Sequence, residues 1–133
     1  MLGDEKMNKL ASKISDSEVE VMKVLWKAKG ELTLTEIRTT LEDTSDWEAS
    51  TIKTLLRRLC GKGVVESRKD KVFYYSANIS EDEYNEYSTQ SLIDRLYAGS
   101  AKKLVAALVG NKKLNKKDIN ELKNMFKVGD DNE

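Results

Sequence analysis

The hydrophobic pattern is clearest over residues 45–59, where apolar positions recur at helical spacing. The stripe predicted to be buried consists of Ile52, Leu55, Leu56 and Leu59. At about 100° per residue, the opposite side of this helix carries hydroxyls and cations. These are Ser50, Lys53, Thr54 and Arg57, with Thr51 and Arg58 on the flanks. Ser45 and Glu48 have the spacing of a capping box, which predicts that the helix starts there.

This polar side suits the major groove of DNA. Small hydroxyl side chains near the helix start allow a close approach to base edges, and lysine and arginine reach guanine edges or phosphates. The same pattern also describes an ordinary amphipathic surface helix with solvated charges. The elements on either side of the helix favour the DNA-binding interpretation.

Those elements have the order of a winged helix-turn-helix. Ser15 and Thr33 each precede a glutamate by three residues and predict the starts of two earlier helices, with a short extended segment between them. After the central helix, two glycines predict its end. Two β-prone runs, residues 64–68 and 72–76, then form a hairpin around a charged turn. The tip residues suited to phosphate contacts or an adjacent minor groove are Lys69 and Lys71.

Residues 80–128 are predicted to form three helices that bury their apolar faces against a second copy of the chain. About 50 residues enclose too little volume to bury these faces alone. A two-fold dimer would bury these faces. It would also place two copies of the helix over residues 45–59 on a palindromic operator. The alternative is a monomer in which these helices pack back on the preceding domain. The residues assigned to dimerisation are Tyr84, Tyr87, Leu92, Leu96, Leu104, Leu108, Ile119, Leu122 and Phe126.

The predicted fold is therefore mostly α, with an N-terminal winged helix-turn-helix and a C-terminal three-helix dimerisation domain. A chain of 133 residues is long enough for two such small domains. We place the DNA-binding domain at residues 14–79 and the dimerisation domain at 80–128. A flexible tail is expected at residues 1–13 and an acidic tail at 129–133.

Composition argues against an enzyme. The chain contains no histidine and one cysteine, Cys60. This excludes nucleophilic sites that use histidine, histidine-ligated zinc, and a thiolate metal site within one chain. Acidic residues fall mostly beside lysines on helix faces, where solvated ion pairs are the usual outcome. We expect no catalytic residue, metal, cofactor or small-molecule ligand. We interpret Cys60 as a small structural thiol, with a redox switch as the alternative.

The formal net charge is zero, but the charge is unevenly distributed. Residues 50–72 hold seven cations and two acidic residues, a net charge of +5. Such a patch on a neutral protein fits selective, salt-sensitive DNA binding rather than indiscriminate coating of nucleic acid. No segment approaches the roughly 20 apolar residues of a membrane span, and the N-terminus lacks the apolar centre of a signal peptide. A soluble cytoplasmic protein without membrane insertion is therefore expected.

Several segments occur in an order and spacing that match one family. They are SEVEVMKVLW (17–26), TIKTLLRRL (51–59), KG (62–63) leading into the hairpin, LYAGS (96–100), LV (104–105) and INELK (119–123). Over residues 14–127 the chain resembles the penicillinase and methicillin-resistance repressors of the BlaI/MecI type, which have a copper-responsive CopY branch. The resemblance implies a homodimeric repressor that binds inverted-repeat operators and blocks transcription of β-lactam resistance genes and of its own operon.

The resemblance also implies roles for particular residues. By the family's motif, the DNA-facing residues are Thr51, Lys53, Thr54 and Arg58, to which the helical projection adds Ser50 and Arg57. In the family, a membrane-bound β-lactam sensor triggers proteolysis, typically at an Asn-Phe pair in the short apolar helix. Here that position reads Ala107-Leu108 and the sequence contains no Asn-Phe pair, although a cut in this helix would still destroy the dimer core. The copper branch carries Cys-x-Cys motifs, which this chain lacks, so copper sensing is disfavoured.

Two other functions are compatible with the sequence. A winged-helix protein–protein adaptor would have the same fold, because a fold does not dictate a function. Such an adaptor is expected to show apolar residues on the outward side of residues 50–58. The other alternative is a repressor that answers a different signal.

Overall fold

Helices dominate the part of the chain that the structure describes, which is residue 9 and residues 13–130 of a computed structural model, with side chains to residue 126. Within residues 13–130 there are six helices and three strands. In chain order these are α1 (Asp16–Ala28), β1 (Leu32–Thr33), α2 (Leu34–Leu41), α3 (Ala49–Gly61), β2 (Val65–Asp70), β3 (Val72–Ala77), α4 (Glu81–Leu96), α5 (Ala101–Gly110) and α6 (Lys116–Asp130). This order confirms the predicted mostly-α fold, with a winged helix-turn-helix followed by three helices. The two predicted tails fall largely outside the described residues.

The chain divides into two compact units, one that ends at Ser91 and one that begins at Leu92. The first unit contains the helices α1 to α3, the sheet and most of α4. The second contains the last residues of α4, together with α5 and α6. The functional division that we placed between residues 79 and 80 stays a prediction.

Reciprocal side-chain caps define the starts of α1 and α2. The Glu18 N–H donates to Ser15 Oγ at 3.2 Å, and the Ser15 N–H donates to the Glu18 carboxylate at 2.7 Å. Thr33 and Glu36 repeat this arrangement at 3.2 and 2.9 Å. Each box satisfies N–H groups that a helix start leaves unpaired. The capping boxes predicted at Ser15 and Thr33 are therefore confirmed.

The predicted capping box at Ser45 is wrong. Helix α3 begins at Ala49, and its N-cap residue Glu48 makes no side-chain cap hydrogen bond. Ser45 instead closes the end of α2, because its N–H and its hydroxyl both donate to the Leu41 carbonyl, at 2.9 and 3.2 Å. A serine that completes the turn after one helix is not placed to cap the next, so residues 45–48 precede α3.

The core of the first unit forms where α1, α2 and α3 meet the sheet. Ile52, Leu56 and Leu59 are fully buried and Leu55 is nearly so, which confirms the stripe predicted for α3. The same cluster includes Val21, Met22, Leu25, Ile37, Leu41, Val64 and Val65. Burying a large aliphatic side chain contributes about 1.5–3 kcal/mol. This stripe therefore holds the polar side of α3 outward.

The sheet is antiparallel, with the strand order β1-β3-β2. Strands β2 and β3 pair along their whole length, so only Lys71, at a φ of 66°, lies between them. The three-residue turn predicted from the sequence is too long. Lys69 consequently lies within β2, directly opposite Phe73.

A buried ion pair holds the end of α3 against the start of α1. Lys62 Nζ lies 2.6 and 2.8 Å from the two Glu18 carboxylate oxygens and donates to the Lys13 carbonyl at 2.8 Å. Burial by itself would raise the pKa of Glu18, but hydrogen bonds from Lys62 and Ser15 outweigh it and hold this pKa below its ordinary value. The carboxylate therefore stays charged although Glu18 is only 2% exposed.

The second unit buries few of its apolar side chains. Among its described residues, Ile93 alone is buried. The large apolar side chains that remain exposed are Leu96, Val105, Val109, Leu122, Met125 and Phe126. This agrees with the expectation that so few residues cannot cover their own apolar faces.

Candidate nucleic-acid interface

The outward side of α3 is polar and open to solvent. Its exposed residues are Ser50, Thr51, Lys53, Arg57 and Arg58, and Thr54 is half-buried. The Thr54 hydroxyl donates to the Ser50 carbonyl at 3.0 Å, so this donor is engaged within the helix. Helix α3 contains three cations and no acidic residue. Hydroxyls and positive charge therefore share one surface without a competing carboxylate from the helix itself.

One edge of this surface adjoins the β2–β3 hairpin. Lys53 and Arg57 line a cleft of about 380 Å³ between α3 and the hairpin. The other residues that line it are Cys60, Ser67, Phe73 and Tyr75. Thr51 and Arg58, which are seven positions apart, form a different row along the helix and do not line this cleft. The predicted DNA-facing residues of α3 thus divide into a row beside the hairpin and a row away from it.

The two predicted lysines of the hairpin, Lys69 and Lys71, are both exposed. Lys69 Nζ lies 5.6 Å from the centre of the Phe73 ring, within the range of a cation–π contact. Side chains alternate between the faces of a strand, so Lys69 shares its face with Ser67, which lines the cleft beside α3. The structure therefore brings Lys69 to the side of the hairpin that faces α3.

Arg68 belongs to the basic patch, yet its charge is already paired. Its Nε and Nη2 donate to the two carboxylate oxygens of Glu31 at 2.9 and 3.2 Å. Its guanidinium carbon lies 4.7 Å from the centre of the Tyr74 ring. The hydrogen bond from Arg68 lowers the pKa of Glu31, and Glu31 in turn raises the pKa of Arg68. No local sequence pattern indicated this pair, because 37 positions separate the two residues.

Cys60 lies at the end of α3 and is half-buried. Burial raises the pKa of its thiol, and a hydrogen bond with Ser67 opposes this only in part. A neutral thiol is a poor nucleophile. These properties support the interpretation of Cys60 as a structural residue.

The residues predicted to form the dimer lie in three different environments. Tyr84 and Tyr87 pack against the core of the first unit, where the Tyr84 ring centre lies 5.4 Å from that of Trp26. Leu92, Leu104, Leu108 and Ile119 are half-buried, whereas Leu96, Leu122 and Phe126 are exposed. Packing within the first unit already accounts for the two tyrosines. Three further exposed apolar residues, absent from the predicted interface, are Val105, Val109 and Met125.

The position that matches the family's cleavage site lies within α5. Ala107 and Leu108 are helical and half-buried there. Among the described residues, no group of acidic, cysteine or histidine side chains is arranged to hold a metal ion. In the same part of the chain, no helix combines the length and the apolar character needed to cross a membrane.

Comparison with known proteins identifies relatives along most of the chain. A family model described as "Penicillinase repressor" matches residues 14–127. The chain is 40% identical over 110 residues to the penicillinase repressor of Bacillus licheniformis, which covers 82% of this chain and 85% of the relative. It is 32% identical over 114 residues to the penicillinase repressor of Staphylococcus aureus, covering 85% of this chain and 90% of the relative. It is also 31% identical over 121 residues to the methicillin resistance regulatory protein MecI of Staphylococcus aureus strain N315. This match covers 90% of this chain and 98% of the relative.

A solved structure is also similar in part. It is the solution structure of the monomeric form of Bacillus licheniformis BlaI in complex with the blaP half-operator. The match has 44% sequence identity and a TM-score of 0.47, and it covers 53% of this chain and 87% of the solved one.

Proposed function

The chain belongs to the penicillinase repressor family, and on that premise we propose that it is a homodimeric transcriptional repressor. The family consists of DNA-binding repressors of resistance genes and not of enzymes. In this proposal the dimer binds inverted-repeat operators in the cytoplasm and blocks transcription of β-lactam resistance genes. The observation that carries the proposal is the exposed side of α3, which combines hydroxyls and cations without an acidic residue.

That side of α3 fits the major groove for physical reasons. Ser50 and Thr51 lie in the first turn, where short side chains let the helix approach base edges. Arg57 and Arg58 lie further along, where long cations reach guanine edges or phosphates. The side shows no apolar residue of the kind that a protein–protein adaptor would use, so DNA is the better partner.

The exposed apolar side chains of the second unit support a homodimer. Leu96, Leu122 and Phe126 are 63%, 36% and 68% exposed in a single chain. A second copy would remove such surfaces from water, and each Å² buried contributes about 25 cal/mol. A two-fold axis would also present two copies of α3 to a palindrome, with half-sites one helical turn or a multiple apart.

Relief of repression by proteolysis in α5 is the finer part of the proposal. Ala107 and Leu108 lie in the second half of this helix, which runs from Ala101 to Gly110. A break there would separate α5 into two pieces that are each too short to keep an amphipathic helix in place. The dimer would then lose part of its apolar contact and with it the affinity for a two-half-site operator. The protease is proposed to be activated by a membrane-bound sensor.

A gel-shift titration on the promoter region upstream of the chain's own gene tests the proposed function. We expect a discrete shift that resists competitor DNA and weakens between two salt concentrations, because phosphate contacts release counterions. Footprinting of that shifted species should then show a palindrome. A shift that disappears with unrelated competitor DNA would contradict a specific repressor.

A further inference from the structure

We propose that the seam between α3 and the β2–β3 hairpin binds one sugar–phosphate segment of the operator strand. In this site the Phe73 ring packs on a deoxyribose, and the cations of Lys53, Arg57 and Lys69 contact the adjoining phosphates. The inference rests on the proposed function and deepens it. It adds an aromatic contact, and it assigns two cations of α3 to the DNA backbone and not to the bases.

Two adjoining clefts form a groove along this seam. Lys53, Phe73 and Tyr75 line both of them, and each encloses about 380 Å³. The first cleft extends along α3 to Arg57, and the second extends to the start of α2. The groove therefore runs between the two elements that are proposed to contact DNA.

Phe73 is the most exposed aromatic residue of β3. It is 47% exposed, whereas Tyr75, two positions along on the same face of β3, is 9% exposed. The two ring centres are 6.4 Å apart, so the groove continues from the core edge to the open ring. Covering an exposed aromatic surface with an apolar group removes that surface from water and so lowers the free energy. The faces of deoxyribose rings supply such a group next to every phosphate.

The charge around the groove fits an anionic occupant. None of the residues that line the two clefts is acidic. Lys69 Nζ, on β2, lies 5.6 Å from the centre of the Phe73 ring on β3. Lys53 lines the groove on the side of α3. The carboxylate of Glu31 pairs with Arg68 and not with the cations of the groove, because Arg68 lies opposite Tyr74 and so on the other face of the hairpin. An apolar ring bordered by lysine and arginine side chains matches the alternation of sugar and phosphate along a DNA strand.

This placement separates the cations of α3 by role. Lys53 and Arg57 reach phosphates, so they contribute affinity for any duplex and salt dependence. Ser50, Thr51 and Arg58 lie outside the groove and remain available for base edges. Substitutions in the two rows should therefore differ in how they affect operator and unrelated DNA.

The test is a fluorescence anisotropy titration of the full chain with operator and unrelated duplexes at three salt concentrations. Phe73→Ala should weaken binding to both duplexes by about tenfold without changing the salt slope, and Phe73→Leu should restore most of the loss. Lys53→Gln should weaken both duplexes by the same factor and reduce the salt slope by about 0.9. Tyr74→Ala is the matched aromatic control on the opposite face, and Lys27→Gln is a control for removal of an exposed lysine from α1. Both controls should bind as the wild type does.

Two results would overturn the inference while leaving the repressor intact. One is wild-type affinity in Phe73→Ala and Phe73→Leu, each with an unchanged circular dichroism spectrum. The other is a Lys53→Gln variant that loses affinity for the operator alone, which would show a base contact. Absence of operator binding by the wild-type chain would overturn the proposed function itself, and this inference with it.

Discussion

Removal of the Lys62 ammonium tests how strongly the buried pair with Glu18 stabilises the first unit. The variant Lys62→Met deletes three hydrogen bonds, two to Glu18 and one to the Lys13 carbonyl. It leaves behind a carboxylate that is 2% exposed. Breaking a buried pair from one side costs about 3–5 kcal/mol. Because the Lys62 side chain is itself 26% exposed, water screens part of the attraction, and we expect a loss of about 2–3 kcal/mol.

Urea unfolding followed by tryptophan fluorescence measures this loss. Both tryptophans, Trp26 and Trp47, lie in the first unit, so the probe reports on that unit within the full chain. All variants are compared at one protein concentration, because association contributes to apparent stability. Combining Lys62→Met with Glu18→Gln removes the buried charge as well and should recover part of the loss. A cost below about 0.5 kcal/mol for Lys62→Met alone would refute the reasoning, since that is the scale of ordinary surface substitutions.

The same pair predicts a pH dependence with a definite sign. The pKa of Glu18 is lowered in the folded chain, so its stabilising contribution is present above the unfolded pKa and is lost as the pH falls through the folded pKa. The wild type should therefore lose stability on the acid side of the ordinary glutamate value of 4.5. In Lys62→Met the burial of the carboxyl is less opposed and its pKa rises, so the acid loss becomes smaller. Identical pH profiles would show that Lys62 does not set the charge of Glu18.

Further predictions concern the helix caps, the dimer and the hairpin. Ser15→Ala should cost about 1 kcal/mol in the same urea titration and Ser45→Ala less than about 0.5 kcal/mol, because only Ser15 caps a helix; equal costs would contradict the observed start of α3. Leu108→Asp should convert the proposed dimer to a monomer in sedimentation velocity, since it places a charge on an apolar face, and a variant that stays dimeric would exclude this part of α5 from the proposed interface. Arg68→Gln should reduce the salt slope of operator binding less than Lys69→Gln does, because Arg68 is already paired; equal reductions would mean that DNA displaces its partner.

Local patterns in the sequence predicted most of the architecture. The order of helices and strands, the buried stripe of α3 and the caps at Ser15 and Thr33 all depend on residues within about seven positions of each other, where helical geometry decides which groups meet. The same locality explains one error. Ser45 and Glu48 have the spacing of a cap, but the choice between closing α2 and opening α3 depends on where α2 ends.

The sequence proposed the residues of the candidate interface, but it did not predict how those residues are arranged relative to one another. The helical pattern identified the polar side of α3, and the hairpin lysines followed from two β-prone runs. Neither pattern revealed that Arg68 is paired with Glu31, or that the exposed Phe73 lines the same cleft as Lys53. These are relations between elements, and no periodicity within one element records them.

The sequence by itself therefore determined the set of helices and strands, their polar and apolar sides, and the family to which the chain belongs. The tertiary structure decided which distant groups meet: Lys62 with Glu18 across 44 positions, and Arg68 with Glu31 across 37. It also decided which cations lie beside the groove. The physical reason is that helix and strand formation follow from neighbours along the chain, whereas the burial and charge pairing of a side chain depend on how separate elements pack against one another.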